Sequence, residues 1–406
     1  MNFSPKQGQA IKLVNDWYKS GDQQVFYLAG YAGTGKTTLA KEFASGVSGQ
    51  VYFAAYTGKA SYVLRQKGCP ATTIHQLIYN PRSKSKVKLL ELEQRLKELR
   101  EKLEANGYHE EDREHHADVL YIKREIEEES SALHKPLFEL NLDSCLKDPS
   151  CSLIVVDECS MIDERMGQDL LSFDKKILVL GDPAQLPPIR GAGFFTSRDP
   201  DFLLTEIHRQ AQGDPILEMA TRVREGRGLI AGQYGTSRVL LKSEFCKDHV
   251  LEADQVLVGR NETRTAFNRR YREIIGRQTL LPEVGDKVVC LRNNHDIGLL
   301  NGGLWEVEES HTDEDSEFVL MTITDEETRT EITAHRAIFL NEKLEWWQKK
   351  EAEEFDFGYA LTCHKSQGSQ WPKVMIYDES SAFGVNRNKW LYTALTRASE
   401  SVTVII

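Results

Sequence analysis

No stretch of this chain approaches the roughly 18 uninterrupted apolar residues of a membrane-spanning helix, so no membrane span is expected. The opening residues Met1 to Gln7 carry no apolar signal segment. The expected setting is therefore the cytoplasm, or a host cytoplasm if the chain is phage-encoded. Cysteine is scarce: seven residues, at 69, 145, 151, 159, 246, 290 and 363, with no Cys-x-x-Cys pair. That odd, scattered set indicates neither a disulfide framework nor a zinc ribbon, and several lie in apolar runs as small core residues. Basic charge is also in deficit, with 51 Lys and Arg against 62 Asp and Glu and a net charge of −11. A broad, non-specific polyanion binder is disfavoured. A locally basic channel for nucleic acid is not, because the acids concentrate in blocks such as Glu125–Glu129, Glu306–Glu317, Asp325–Glu327 and Glu351–Glu354. Such blocks read as solvated faces. No internal repeat of fixed short period is visible.

What is present suffices for a core: 40% hydrophobic and 9% aromatic residues in 406, a length that predicts two to three domains. Residues 1 to about 80 alternate apolar runs (Val25–Leu28, Val51–Ala55) with helical patterns, the signature of a parallel α/β sheet. From Lys84 to Leu133 the composition turns heavily charged. Leucines at 89, 92, 96, 99 and 103 trace a heptad seam, Asn106-Gly107 offers a break, and Val119, Ile122, Ile126 and Leu133 give a weaker second seam. We expect an antiparallel helical hairpin that either projects from the sheet domain or packs on it. The α/β pattern resumes at Ser152–Val156 and Lys176–Leu180, and again at Gln255–Gly259 with a helix over Glu262 to Ile275. Residues 281–344 read as short β runs, and Val374–Tyr377 and Val402–Ile406 as buried strands.

The local chemistry centres on Gly30-Tyr31-Ala32-Gly33-Thr34-Gly35-Lys36-Thr37, a complete G-x-x-x-x-G-K-T loop between an apolar strand and a helix. In such a loop successive backbone N–H groups and the helix N-terminus cradle phosphates. Gly30, Ala32, Gly33, Thr34, Gly35, Lys36, Thr37 and Thr38 are the expected nucleotide contacts. Lys36 would reach the β- and γ-phosphates, and the Thr37 hydroxyl would ligate Mg²⁺. A second apolar strand, Leu153–Val156, ends in Asp157-Glu158. Desolvating two carboxylates is costly, so a buried strand seldom ends this way without a use. Asp157 fits a Mg²⁺ partner and Glu158 a base that activates water. A third strand runs into Gly181-Asp182-Pro183-Ala184-Gln185-Leu186-Pro187-Pro188, where Gln185 fits a γ-phosphate sensor at the carboxyl edge of the sheet.

These elements in order resemble the RecD/Dda-like branch of superfamily 1B DNA helicases. Phe3 to Gln7 is similar to that family's glutamine motif, which implies that Gln7 reads the adenine edge. Thr57-Gly58-Lys59-Ala60 and Thr72-Thr73-Ile74-His75 resemble its strand-contacting segments, and Asp157–Met161 its Asp-Glu-x-Ser-Met motif. His208-Arg209-Gln210 resembles the segment with one arginine finger. Thr362–Gly368 and Tyr392–Ala398 resemble motifs V and VI, the latter with a second finger at Arg397.

The resemblance implies an α/β fold of two RecA-like domains, over 1–80 with 151–210 and over 211–280 with 345–406. The first holds the charged hairpin insert 81–150; the second holds an SH3-like β insert, 281–344. It implies ATP and Mg²⁺ as cofactors, with Lys36, Asp157, Glu158, Gln185, Arg209 and Arg397 catalytic. Single-stranded DNA and single–double-strand junctions would bind along Thr57, Lys59, Thr73, His75, His364, Ser366 and Gln367, contacts that carry no base code. The expected activity is 5′-to-3′ translocation and unwinding by a monomer. The hairpin would be a strand-separating pin or a dock for a replication or recombination protein; without a pin, the alternative is a translocase that remodels protein–DNA complexes. A regulatory nucleotide-binding module of vestigial hydrolysis is disfavoured by the intact polar set, and a small-substrate kinase by the second sheet.

Overall fold

The computed structural model describes the chain except for residues 1–2, 21, 82–85, 106–115, 135–137, 189–192, 207–212, 295–296, 314–315, 326–327, 345–347 and 349–350. Two six-stranded sheets and one five-stranded sheet organise the main body, residues 1–77 with 145–406, and residues 78–144 form a separate compact unit.

The first sheet has the order Ala71–Thr73, Gln50–Ala55, Cys151–Asp157, Ile177–Gly181, Val25–Gly30, Phe202–Leu204, with every pair parallel. Its central strands are continuous apolar runs because parallel sheets are covered on both faces; Ile177–Gly181 is buried throughout. Register decides where the chemistry emerges. Ala29 pairs with Gly181, and Ala55 with Asp157, so the loops after Gly30, Ala55, Asp157 and Gly181 all leave one carboxyl edge.

The second sheet has the order Ala360–Thr362, Gln255–Val258, Trp371–Tyr377, Ala398–Ile405, Ser237–Leu240, Gly232–Tyr234, parallel except for the last pair. Helix Arg387–Leu395 precedes its strand Ala398–Ile405 and is buried from Trp390 to Leu395. Its first turn is exposed, and the burial continues past its end, so that Tyr392, Thr393 and Arg397 are all enclosed.

The third sheet is antiparallel, ordered Arg329–His335, Phe318–Thr324, Leu304–His311, Lys287–Cys290, Phe355–Phe357. It runs past residue 344: Phe355–Phe357 pairs with Lys287–Cys290, a contact no local pattern announces. Its root is fixed by Arg272 on helix Asn261–Ile274, whose guanidinium donates to the fully buried Asp286 at 2.9–3.1 Å while Tyr359 donates to the same carboxylate at 2.8 Å. A buried charge pair persists only with such additional donors.

In the separate unit, helices Lys86–Ala105 and Ala117–His134 pack together above a short ladder of Tyr79–Pro81 with Phe138–Leu140. Leu92, Leu103, Val119 and Ile122 are buried and Leu96, Leu99 and Ile126 partly so, as the heptad spacing predicts. The side chains of Leu89 and Leu133 and the Asn106-Gly107 break lie outside the described residues. No described helix is long and apolar enough to cross a membrane.

Candidate nucleotide site and strand channel

The phosphate loop takes the shape its glycines permit. Gly33 and Gly35 have φ of 75° and 81°, in the left-handed region that a side chain disfavours. A Cβ on Gly30 would lie 2.6 Å from Thr34 Oγ1. Helix Lys36–Ser45 follows, and the Lys36 ammonium folds back to donate to the carbonyls of Gly30 at 2.7 Å and Tyr31 at 3.3 Å. The Thr37 hydroxyl donates to Asp157 Oδ2 at 2.9 Å. A hydroxyl beside a carboxylate is the hard-oxygen pair that Mg²⁺ takes, with water and phosphate oxygens completing its shell. No group of three or more His, Cys, Asp or Glu able to hold a metal ion by itself occurs among the described residues; Thr37 and Asp157 would hold Mg²⁺ together with a nucleotide.

Glu158 is a non-glycine residue at φ 54°, ψ 45°. That conformation costs on the order of 1–2 kcal/mol, and such strain clusters at functional sites. Burial pushes its carboxyl above the ordinary glutamate range; Arg397 draws it back and Asp157 pushes it further up. Arg397 arrives from the second sheet, 3% exposed, and donates to the carbonyls of Thr393 (3.1 Å) and Ser369 (3.2 Å) and to Thr396 Oγ1 (3.1 Å). Lys36, Thr37, Asp157, Glu158 and Arg397 line one cleft of about 1310 Å³. Gln7, Gly33, Thr34, Gly35, Thr38 and Lys59 line it as well. Gln7 donates to the Thr34 carbonyl at 3.1 Å and accepts from the Ser4 amide at 3.0 Å, so it braces the loop from helix Pro5–Ser20.

Gln185 is buried, and its side-chain oxygen has no partner among the described residues. A buried acceptor left unpaired costs about 1–3 kcal/mol, which suits a group that waits for a ligand or an ordered water. Arg209 lies outside the described residues.

The strand-contacting set divides. Thr57 caps helix Gly58–Gln66 by accepting from the Ala60 amide at 3.1 Å, which leaves its proton free for a phosphate. Lys59 sits 5.1 Å from the Trp371 ring centre. His75 meets Tyr56 edge-on, His364 lies 5.6 Å from the Phe383 ring, and burial lowers the pKa of both imidazoles. Thr73, Ser366 and Gln367 instead serve internal bonds and are no more than 4% exposed. The Thr73 hydroxyl faces Gln76 Oε1 at 3.2 Å, Ser366 donates to the Cys363 carbonyl at 2.8 Å, and Gln367 donates to the Leu186 carbonyl at 3.1 Å. Sequence identifies them as donors but not as buried. Ala32 does not line the cleft; its amide donates to Tyr392 Oη. Tyr392, Thr393 and Asp182 were given no role by sequence, although the first two sit in the motif that carries Arg397.

Two largely parallel sheets that share a cleft, one with a phosphate loop at its carboxyl edge, define the two-lobed P-loop α/β class of folds. Residues 3–239, more than half of the chain, match the family described as AAA domain, and residues 357–405 match the UvrD-like helicase C-terminal domain. The chain belongs to the AAA-domain family. It is similar to the ATP-dependent RecD2 DNA helicase of Deinococcus radiodurans, 26% identical over 287 residues, covering 61% of this chain and 35% of that protein. It is also similar to the uncharacterized protein R530 of Acanthamoeba polyphaga mimivirus, 28% identical over 197 residues, covering 46% and 34%. The chain thus spans about a third of the length of these relatives. In fold it resembles Bacteroides Pif1 bound to ssDNA, with a TM-score of 0.52 and 17% identity over 99% of this chain and 92% of that one. It also resembles Pif1 helicase from Candida albicans, with a TM-score of 0.50 and 18% identity over 100% and 94%.

Proposed function

We propose that this chain is an ATP-driven 5′-to-3′ single-stranded DNA translocase that unwinds duplex DNA. The observation that carries the reading is the shared cleft: Arg397 from one sheet, and Lys36, Thr37, Asp157 and Glu158 from the other. Lys36, which donates to two loop carbonyls, would turn to the β- and γ-phosphates of ATP. Glu158, ionised, accepts the proton of the attacking water, and Gln185 Oε1 accepts a hydrogen bond that orients it. Mg²⁺ held by Thr37 and Asp157 would neutralise phosphate charge. Arg397, and Arg209 by resemblance, would supply planar donors to the equatorial oxygens, so that closure depends on ATP. Thr57, Lys59, His75 and His364 would hold the strand by backbone and stacking, with Thr73, Ser366 and Gln367 shaping the channel from within. Salt should weaken DNA affinity in proportion to the phosphates neutralised.

The helical pair over 81–150 is the candidate pin, and 281–344 the candidate SH3-like module. A second reading, a translocase that remodels protein–DNA complexes, draws support from Leu120 and Tyr121, which are 49% and 60% exposed on that pair and suit a protein partner. The cytoplasm and a monomeric motor remain part of the proposal. The test is strand separation with ATP on partial duplexes with a 5′ or a 3′ tail. Unwinding of the 5′-tailed substrate alone is expected. Unwinding of the 3′-tailed substrate overturns the polarity. ATPase stimulated by single strands without any unwinding selects the second reading.

A further inference from the structure

The mechanism above leaves two buried ionisable groups unused, Tyr392 and Asp182, and they touch. The Tyr392 hydroxyl, on helix Arg387–Leu395 of the second lobe, stands 2.7 Å from Asp182 Oδ2 at the end of a first-lobe strand. The Ala32 amide of the phosphate loop donates to the same hydroxyl oxygen at 3.0 Å. A phenol has one proton and can accept as well. With the amide already a donor, that proton goes to the carboxylate, and the direction of the chain is fixed: Ala32 to Tyr392 to Asp182. The other Asp182 oxygen accepts from the Ala184 amide at 2.9 Å, in the turn that carries Gln185. Asp182 is 1% exposed and Tyr392 2%, so neither bond has water to replace it.

The neighbouring residue repeats the pattern. Thr393 Oγ1 accepts from the Leu186 amide at 2.9 Å, and Gln367 donates to the Leu186 carbonyl at 3.1 Å, so both backbone groups after Gln185 are held by the second lobe. Arg397 Nε in turn donates to the Thr393 carbonyl at 3.1 Å. One short stretch of the second lobe therefore grips the phosphate loop, the sensor loop and the arginine together. The ring of Tyr392 packs in the apolar core of that lobe, where a phenylalanine would fit equally well; only the hydroxyl reaches the loops.

We propose that Tyr392 is a positioning residue for hydrolysis, which aligns the phosphate loop and the Gln185 loop with Arg397 across the cleft. The proposal rests on the ATPase reading above. Tyr392 touches no phosphate, so its loss should slow turnover without weakening nucleotide binding.

The experiment is steady-state ATPase of the full chain with saturating single-stranded DNA, wild type against Tyr392→Phe, with binding of a fluorescent ATP analogue and thermal melting in parallel. The expected result is a kcat lowered about tenfold or more, with KM and analogue affinity within about twofold of wild type. A kcat within twofold of wild type overturns the proposal, and so does a change confined to KM or affinity. If Tyr392→Phe does not fold, Asp182→Asn is measured by the same criteria, since it keeps the size and the acceptor but removes the charge that holds the phenol. A wild-type chain that binds no nucleotide overturns the ATPase reading itself, an outcome distinct from an active wild type with an equally active variant.

Discussion

The two six-stranded sheets follow one plan, yet they satisfy the same electrostatic demand in opposite ways. In each, a buried parallel strand turns through glycine into a helix, and the backbone amides of that turn need acceptors. In the first lobe that turn is Gly30–Gly35 before helix Lys36–Ser45, and neither this helix nor its second-lobe counterpart is capped by the side chain of its own N-cap residue. In the second lobe strand Gln255–Val258 leads through Gly259-Arg260 into helix Asn261–Ile274. There Glu379, just beyond strand Trp371–Tyr377, accepts from the amides of Gly259 (2.7 Å) and Arg260 (3.0 Å) and from the Thr263 hydroxyl (2.7 Å). The second lobe carries its anion within the fold, whereas the first leaves the place to a phosphate. Architecture is shared and chemistry is settled at the loop, so a fold alone would not say which lobe binds nucleotide.

That comparison breaks most sharply at Lys36. If the first-lobe turn is the phosphate site, Lys36→Ala removes the cation bonded to its carbonyls, and turnover should fall by about 10³-fold or more in an ATPase assay. Retained turnover would make the loop an ordinary turn like its counterpart.

Glu158→Gln sharpens the same contrast with a smaller effect, a kcat loss of roughly 10²-fold. Its pH dependence has a definite sign. Burial raises the carboxyl, so Glu158 takes up its proton at a higher pH than an ordinary glutamate. The base form is the active one; turnover therefore declines on acidification while the pH is still above the usual glutamate range near 4.3. The shift opposes folding as the pH rises, because the folded state keeps that proton longer than the unfolded chain. A pH–rate profile of kcat whose acid limb sits at or below the ordinary value would remove Glu158 from the role of base.

Why the two lobes were unequally legible follows from the range of the interactions. The phosphate loop is built from consecutive backbone amides, so its spacing is written locally, and the Thr37 hydroxyl after it reaches Asp157. The long apolar strands and the leucine seam of 92–103 were legible for the same reason. Ala71–Thr73, Phe202–Leu204, Ser237–Leu240 and Ala360–Thr362 are three or four residues long, too short for a period. Thr73, Ser366 and Gln367 have the right donors, but burial depends on neighbours brought in by the fold. Arg397 was reachable only through resemblance, since one arginine after a helix has no local signature. The Tyr392–Asp182 bond spans 210 residues and the Glu379 cap about 120, separations that no pattern in the sequence encodes.

The smallest expected effect tests the second lobe. Glu379→Gln keeps an acceptor oxygen but removes the charge that faces three donors on Gly259, Arg260 and Thr263. Hydrogen bonds to a charged group contribute about 1.5–3 kcal/mol and neutral ones about 1, so a loss of roughly 1–3 kcal/mol is expected, read as a lower midpoint of urea unfolding. Turnover per folded molecule should stay within about twofold, because the cap lies outside the residues that line the cleft. Alanine at Gly259 cannot stand in for this test: its Cβ would lie 2.8 Å from the Cβ of Glu379 and change the packing as well as the charge. Unchanged stability in Glu379→Gln would mean that the charge of the carboxylate is not what satisfies this turn. The contrast between an internal anion in one lobe and an external one in the other would then fail, even with the nucleotide site intact.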